Sequence, residues 1–223
     1  MKRFLSLFLA CAMLLCLLSG CGSGTAQSGD ETVAFTDSLG RTVQLPKELT
    51  RIAPSGAVAT MILATVAPEY MVSVSSKPTA EQLSYLPQEL VSLPETGQMY
   101  GSKSTLNLET LLSCDAQVVI DLGDRKENME DDLDALQQQI GIPVIFLEAD
   151  VVHMEEMYRT LGSILSGKEE RGGALADFAA ETIAMAAENR ERATDAERVR
   201  VMYTSGVSGL DTNAEGSTQA QVL

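Results

Sequence analysis

Four basic side chains stand in polar loops between apolar runs: Lys77, Lys103, Arg125 and Lys126. In a chain of formal charge −15, cations gathered at loops suit an anionic ligand. Arg125 is the best single candidate, because its planar fork matches a carboxylate. The alternative is that Lys103, Arg125 and Lys126 only balance nearby acids on a solvated surface. Ser55 and Gly56 lie in another such loop, Pro54-Ser55-Gly56-Ala57, and Gly97-Gln98-Met99-Tyr100-Gly101 is the last of this group. Glycine lets backbone approach a ligand closely. Tyr100, next to Gly101, could stack on a ligand, bind iron through its phenolate, or simply pack.

Catalytic patterns are missing from the sequence. There is no nucleophile–base pair, no phosphate-cradling glycine loop after a strand and no paired His, which argues against an enzyme. The single His153 reads as a solvated surface residue. One His also argues against direct binding of zinc or manganese, for which His is the commonest ligand.

Cys21 carries a different chemistry. Lys2 and Arg3 precede an apolar run from Phe4 to Leu18, followed by Leu18-Ser19-Gly20-Cys21. The run is shorter than the ~20 residues a membrane-spanning helix needs and fits a secretory signal over residues 1–20. A Leu, two small residues and a Cys form the pattern at which a bacterial thiol is acylated and the chain cut before it. Residues 21–30, rich in Gly and Ser, then act as a flexible tether. The expectation is a protein lipid-anchored at the outer face of the cell membrane. Of four Cys, only Cys114 would remain free, and it reads as core packing.

Loss of Lys2 and Arg3 leaves 14 basic against 31 acidic residues, a charge of −17. Such a surface repels nucleic acid and anionic lipid, so the membrane is reached through the lipid alone. With no Trp and 4% aromatics, a carbohydrate receptor built on stacking platforms is disfavoured.

The elements that would position these loops alternate. Val33 to Asp37 and Thr42 to Leu45 read as a hairpin ended by Pro46. Arg51-Ile52-Ala53 and Met71 to Val74 read as strands around an apolar helix from about Ala57 to Val66. Asn107 can cap a helix with Glu109 in its first turn. Gln117 to Leu122 and Pro143 to Leu147 are apolar enough for strands buried on both faces. Met129, Leu133, Leu136 and Ile140 recur at helical spacing, and Val151, Met154, Tyr158, Leu161 and Leu165 mark the next helix face. Strands alternating with helices predict a parallel sheet covered on both sides. The expected organisation is an α/β lobe over residues 31–167, an Ala- and Glu-rich linking helix over 168–196, and a second lobe begun at 198–223 with a strand from Arg198 to Tyr203. On this reading the second lobe is truncated at Leu223.

Three segments, in order, carry a resemblance. They are Phe35-Thr36-Asp37-Ser38-Leu39-Gly40-Arg41-Thr42-Val43, then Asn107-Leu108-Glu109 before Val118-Val119-Ile120, then Gly141-Ile142-Pro143-Val144. Behind the acylation pattern and ahead of a long helix, they resemble the substrate-binding lipoproteins of iron–siderophore, haem and cobalamin ABC importers. The resemblance implies a monomeric bilobal periplasmic-binding fold whose lobes are joined by one long helix. It implies a ligand held between the lobes, no chemistry performed on it, and delivery to a permease driven by an ATPase. The ligand would be a ferric chelate of siderophore type, or else haem or cobalamin. Many members carry on the first helix a Glu that docks on the permease; here Ala57 to Met61 hold no acid, and Thr60 falls about where that Glu would be.

Overall fold

The computed structural model describes residues 31–100, 106–194, 197–204, 207–213 and 217–222. Its centre is a parallel sheet of three strands in the order β3 (Ile52–Pro54), β4 (Val118–Gly123), β5 (Val144–Glu148). Ile52 sits opposite Val118, and Val119 opposite Val144. The side chains of β4 alternate between two cores, as strand geometry requires. Val118, Ile120 and Leu122 pack with α1 (Ala57–Val66) and α4 (Met154–Ile164) on one face. Val119 packs with α2 (Leu108–Ser113) and α3 (Met129–Ile140) on the other. Helices therefore cover both faces, as the alternation predicts.

Local chemistry agrees at several points. Asn107 caps α2 by accepting from the Thr110 amide at 3.0 Å. Met129, Leu133, Leu136 and Ile140 form the buried stripe of α3, which Gly141 ends at a φ of 67° that favours glycine.

The hairpin β1 (Thr32–Thr36) and β2 (Thr42–Pro46) is a separate antiparallel pair. Its turn locks onto β5: the Ser38 amide donates to the Phe146 carbonyl at 3.0 Å, and Arg41 Nη2 donates to the Val144 carbonyl at 3.2 Å. The Asp-x-x-Gly-Arg pattern thus ties the turn to the edge of the sheet.

Three expectations are corrected. Residues 71–74 do not form a strand; Met71 and Val74 make single bridges to Ile52 and Glu95. Residues 198–203 are also not a strand; no described segment pairs with them, and an unpartnered strand leaves its backbone unsatisfied. Cys114 is half-buried rather than core, its thiol donating to the Thr110 carbonyl at 3.0 Å.

The long helix α5 (Glu169–Arg192) is continuous, although it carries two glycines near its start that a reading of Ala and Glu content passes over. Gly172 is needed for contact with α4: a Cβ there would lie 2.5 Å from Gly162 Cα. Beyond Ala179 the helix is largely exposed, with Met185 at 58%.

Candidate functional site

A pocket of about 250 Å³ opens at the carboxyl ends of β3 and β4, the place where loops of a parallel sheet lead into helices and ligands are held. Three segments build it. After β3 the chain passes Ser55 and Gly56 into α1, with the Ser55 amide held by the Ile120 carbonyl at 3.1 Å. The loop bearing Tyr100 is laced alongside: the Met99 amide donates to the Ser55 carbonyl at 2.8 Å and the Gly97 amide to the Ser75 carbonyl at 3.1 Å. The third segment is the end of β4, which brings Asp121, and the loop after it, which brings Lys126.

Asp121 is 4% exposed. The Ser55 hydroxyl donates to its Oδ1, but its Oδ2 is buried without a partner among the described residues, and so is the Tyr100 hydroxyl. Burial pushes the Asp121 carboxyl up from its ordinary value, against the Ser55 hydrogen bond and the Lys126 charge, which pull it down. Burial, with the charges of Asp121 and Asp132, pushes the Tyr100 phenol up as well. Lys126 holds its Nζ 4.5 Å over the Tyr100 ring and donates to the Asp124 carbonyl at 3.1 Å. An unpaired buried polar group costs roughly 1–3 kcal/mol. Asp121 and Tyr100 both line this pocket.

Ser55, Gly56, Tyr100 and Lys126 are thus brought together. Lys77 is not: its Nζ donates to the Val91 carbonyl at 2.8 Å and to that of Leu93. Arg125 turns away, donating to the Ser38 carbonyl and lying 3.6 Å from Glu148. Gly101, Lys103 and Cys21 lie outside the described residues. Among the described residues, the pocket holds one of the expected loop cations, Lys126, beside one buried carboxyl, Asp121. Asp121 was the missed residue, and its signal was an acid inside an otherwise apolar strand.

Arg125 lines a second concavity of about 240 Å³ with Ser38, Glu148, His153 and Glu156. Glu148, Asp150 and His153 place ligand atoms within 4.8 Å of one another, a set that could hold a metal ion. Both Asp150 oxygens are already engaged. Oδ1 lies 2.5 Å from His153 Nδ1 and accepts from the His153 amide at 2.9 Å, while Oδ2 accepts from Gln221 Nε2 at 2.7 Å. Hydrogen bonding to Asp150 pushes His153 up. Burial works to raise Asp150, but its bonds to Gln221 and His153 hold it below the usual carboxylate range. His153 is therefore held against Asp150 at the start of α4, not merely solvated.

Solved structures of solute-binding proteins match the chain. An ABC transporter solute binding protein from Sulfurospirillum deleyianum superposes with a TM-score of 0.64 at 25% identity, over 74% of this chain and 51% of its own. The fold is that of periplasmic solute-binding proteins. One from Veillonella parvula matches with a TM-score of 0.58 at 20% identity, over 74% of this chain and 50% of its own. The molybdate periplasmic binding protein of Haemophilus influenzae, solved with molybdate, matches with a TM-score of 0.55 at 16% identity, over 75% and 56%. The chain spans about half the length of these structures. No family model matches the sequence, and no curated protein matches it.

Against that fold, the surface of α1 is informative. Thr60 is buried, donating to the Gly56 carbonyl at 3.0 Å. Val58 and Met61 are its large exposed side chains, at 52% and 58%.

Proposed function

We propose that the chain is part of an extracytoplasmic solute receptor that captures a ferric chelate of siderophore type, or a related large metal complex, and hands it to an ABC permease and its ATPase. The observation that carries the reading is the pocket of Ser55, Tyr100, Asp121 and Lys126 at the carboxyl edge of the parallel sheet. The likeness to solute-binding proteins supports it. The receptor holds and releases its ligand without transforming it, and Cys21 anchors it by lipid to the membrane. Haem and cobalamin are the alternative ligands of the same class. Tyr100 and Val58 line the pocket and give a chelate or macrocycle aromatic and apolar surface to meet.

Calorimetric titration of the whole protein tests this. The panel is a ferric trihydroxamate, a ferric tricatecholate, haemin, cyanocobalamin and zinc chloride. The expected result is binding of one ferric chelate at a dissociation constant of about 1 μM or tighter, which is ~8 kcal/mol. Binding of zinc alone, or of nothing in the panel, contradicts the reading.

A further inference from the structure

We propose that the floor of the pocket, Asp121 beside Tyr100, takes a hydrogen-bond-donating group of the ligand, an ammonium or a hydroxyl, in preference to a bare oxyanion. The inference rests on the receptor reading in that it concerns the same pocket. Its content is the polarity of the group that enters first.

The argument is an inventory of donors and acceptors. Ser55 is 2% exposed, and its one hydroxyl proton is committed to Asp121 Oδ1, so its remaining capacity is to accept. Asp121 Oδ2 has no partner among the described residues, and a carboxylate oxygen accepts. Tyr100 can do either, and its hydroxyl also has no partner. The Lys126 ammonium lies over the face of the Tyr100 ring and is bonded to the Asp124 carbonyl, so it lines the pocket without reaching either unpartnered atom. Among Ser55, Asp121 and Tyr100 acceptors therefore predominate, while Gln98 adds an amide to the lining. An oxyanion placed there would lie beside a buried carboxyl with little water to screen the repulsion, whereas an N–H or O–H would give Oδ2 its missing partner.

The start of α1 faces the same pocket through Ala57, Val58 and Ala59, and its first turn carries no acid. Its open N–H groups suit an acceptor atom further along the ligand. The ligand is thereby oriented, with its donor inward at Asp121 and its acceptor outward at α1. The raised Asp121 carboxyl agrees, since a group left under-solvated by the protein is one that a donor would relieve.

Three fragments of one shape test the polarity without any ferric chelate: benzylammonium, benzyl alcohol and benzoate, titrated into the full chain while the amide resonances of residues 55–59 and 121–123 are followed. Benzylammonium and benzyl alcohol should shift them saturably, with benzoate at least about tenfold weaker, a difference of ~1.4 kcal/mol. Asp121→Asn, which turns an amide donor into the pocket, should weaken benzylammonium by about tenfold or more and should leave the melting temperature unchanged or raised. Tyr100→Phe deletes only the unpartnered hydroxyl and should weaken benzylammonium a few-fold, on the order of 0.5–1 kcal/mol, without loss of stability.

Benzoate binding more tightly than benzylammonium overturns the proposal, as does a pocket that answers to none of the three. So does Asp121→Asn melting several degrees lower, which would make Asp121 a structural acid, or fragment affinities that neither variant changes. Because no iron complex is used, failure here leaves the receptor reading standing. A protein that binds no ferric chelate yet sorts the fragments as expected would keep the pocket assignment and lose the ligand.

Discussion

Two buried aspartates in this chain have opposite circumstances. Asp37, at the hairpin turn, is 5% exposed, and Asp121, at the pocket, is 4% exposed. Asp37 is fully answered. Its Oδ1 accepts from the Leu39 and Arg41 amides at 3.0 Å each, and its Oδ2 from Arg41 Nη1 at 3.0 Å and from the Phe146 amide at 3.3 Å. Arg41 in turn reaches Asp134 at 2.8 Å. Among the described residues, Asp121 has Ser55 on one oxygen and nothing on the other. Equal burial with unequal satisfaction separates the two, and only the first is a charge fully held by the fold. The Asp-x-x-Gly-Arg segment on which the family resemblance leans is thus a structural lock.

The sharpest way to break the contrast is to remove each acid. Asp37→Ala leaves Arg41 buried without its main partner and should cost about 3–5 kcal/mol in urea denaturation. Asp121→Asn should cost less than about 0.5 kcal/mol or stabilise. Equal losses at the two sites would abolish the distinction.

A packing position gives a yardstick between these extremes. Gly172→Ala forces a Cβ against Gly162 and the Tyr158 carbonyl and should cost about 1–3 kcal/mol. Gly173→Ala meets nothing within 4 Å and should stabilise by about 0.5–1 kcal/mol through helix propensity. Denaturant midpoints of the two variants moving the same way would place the α4–α5 contact wrongly.

The pH dependence sharpens the comparison further. A carboxyl whose pKa is raised on folding binds its proton more tightly in the folded state. The stability linked to it therefore falls as pH rises from the unfolded aspartate value through the folded one. Wild type minus Asp121→Asn should show that decline above about pH 4, with Asp121 burial as its cause. A difference curve that is flat, or that rises with pH, counts against the buried, half-satisfied carboxyl.

The smallest effect should come from His153. Its pKa is raised by Asp150, so the contribution of that pair is complete below the ordinary His value and fades as pH rises through the folded one. The ring is 41% exposed, and solvent screening keeps the effect slight. His153→Gln should therefore flatten the melting-temperature profile only above about pH 6.5, and a change confined to lower pH would contradict the pairing.

What could be read from the sequence was what depends on near neighbours. The α3 stripe, the Asn107 cap, and the buried runs of β4 and β5 follow from periodicities and offsets within one element. The directions of Lys77 and Arg125 do not. Each long side chain found carbonyls contributed by another segment, Val91 and Leu93 in one case and Ser38 in the other. Asp121 was hidden for a related reason: its partner Ser55 is 66 positions away, and an acid within an apolar strand gains meaning only when the second strand is placed beside it. The strand expected at 198–203 needed a neighbour that periodicity does not supply.

The central claim is that the pocket at the carboxyl edge of the sheet, rather than the hairpin side, receives the ligand. Amide hydrogen exchange of the whole protein, with and without the ferric chelate that binds in calorimetry, tests this most directly. Added protection is expected at residues 55–59, 98–100 and 121–126, with none at residues 32–46. Protection gained at the hairpin and absent from the pocket would contradict the account.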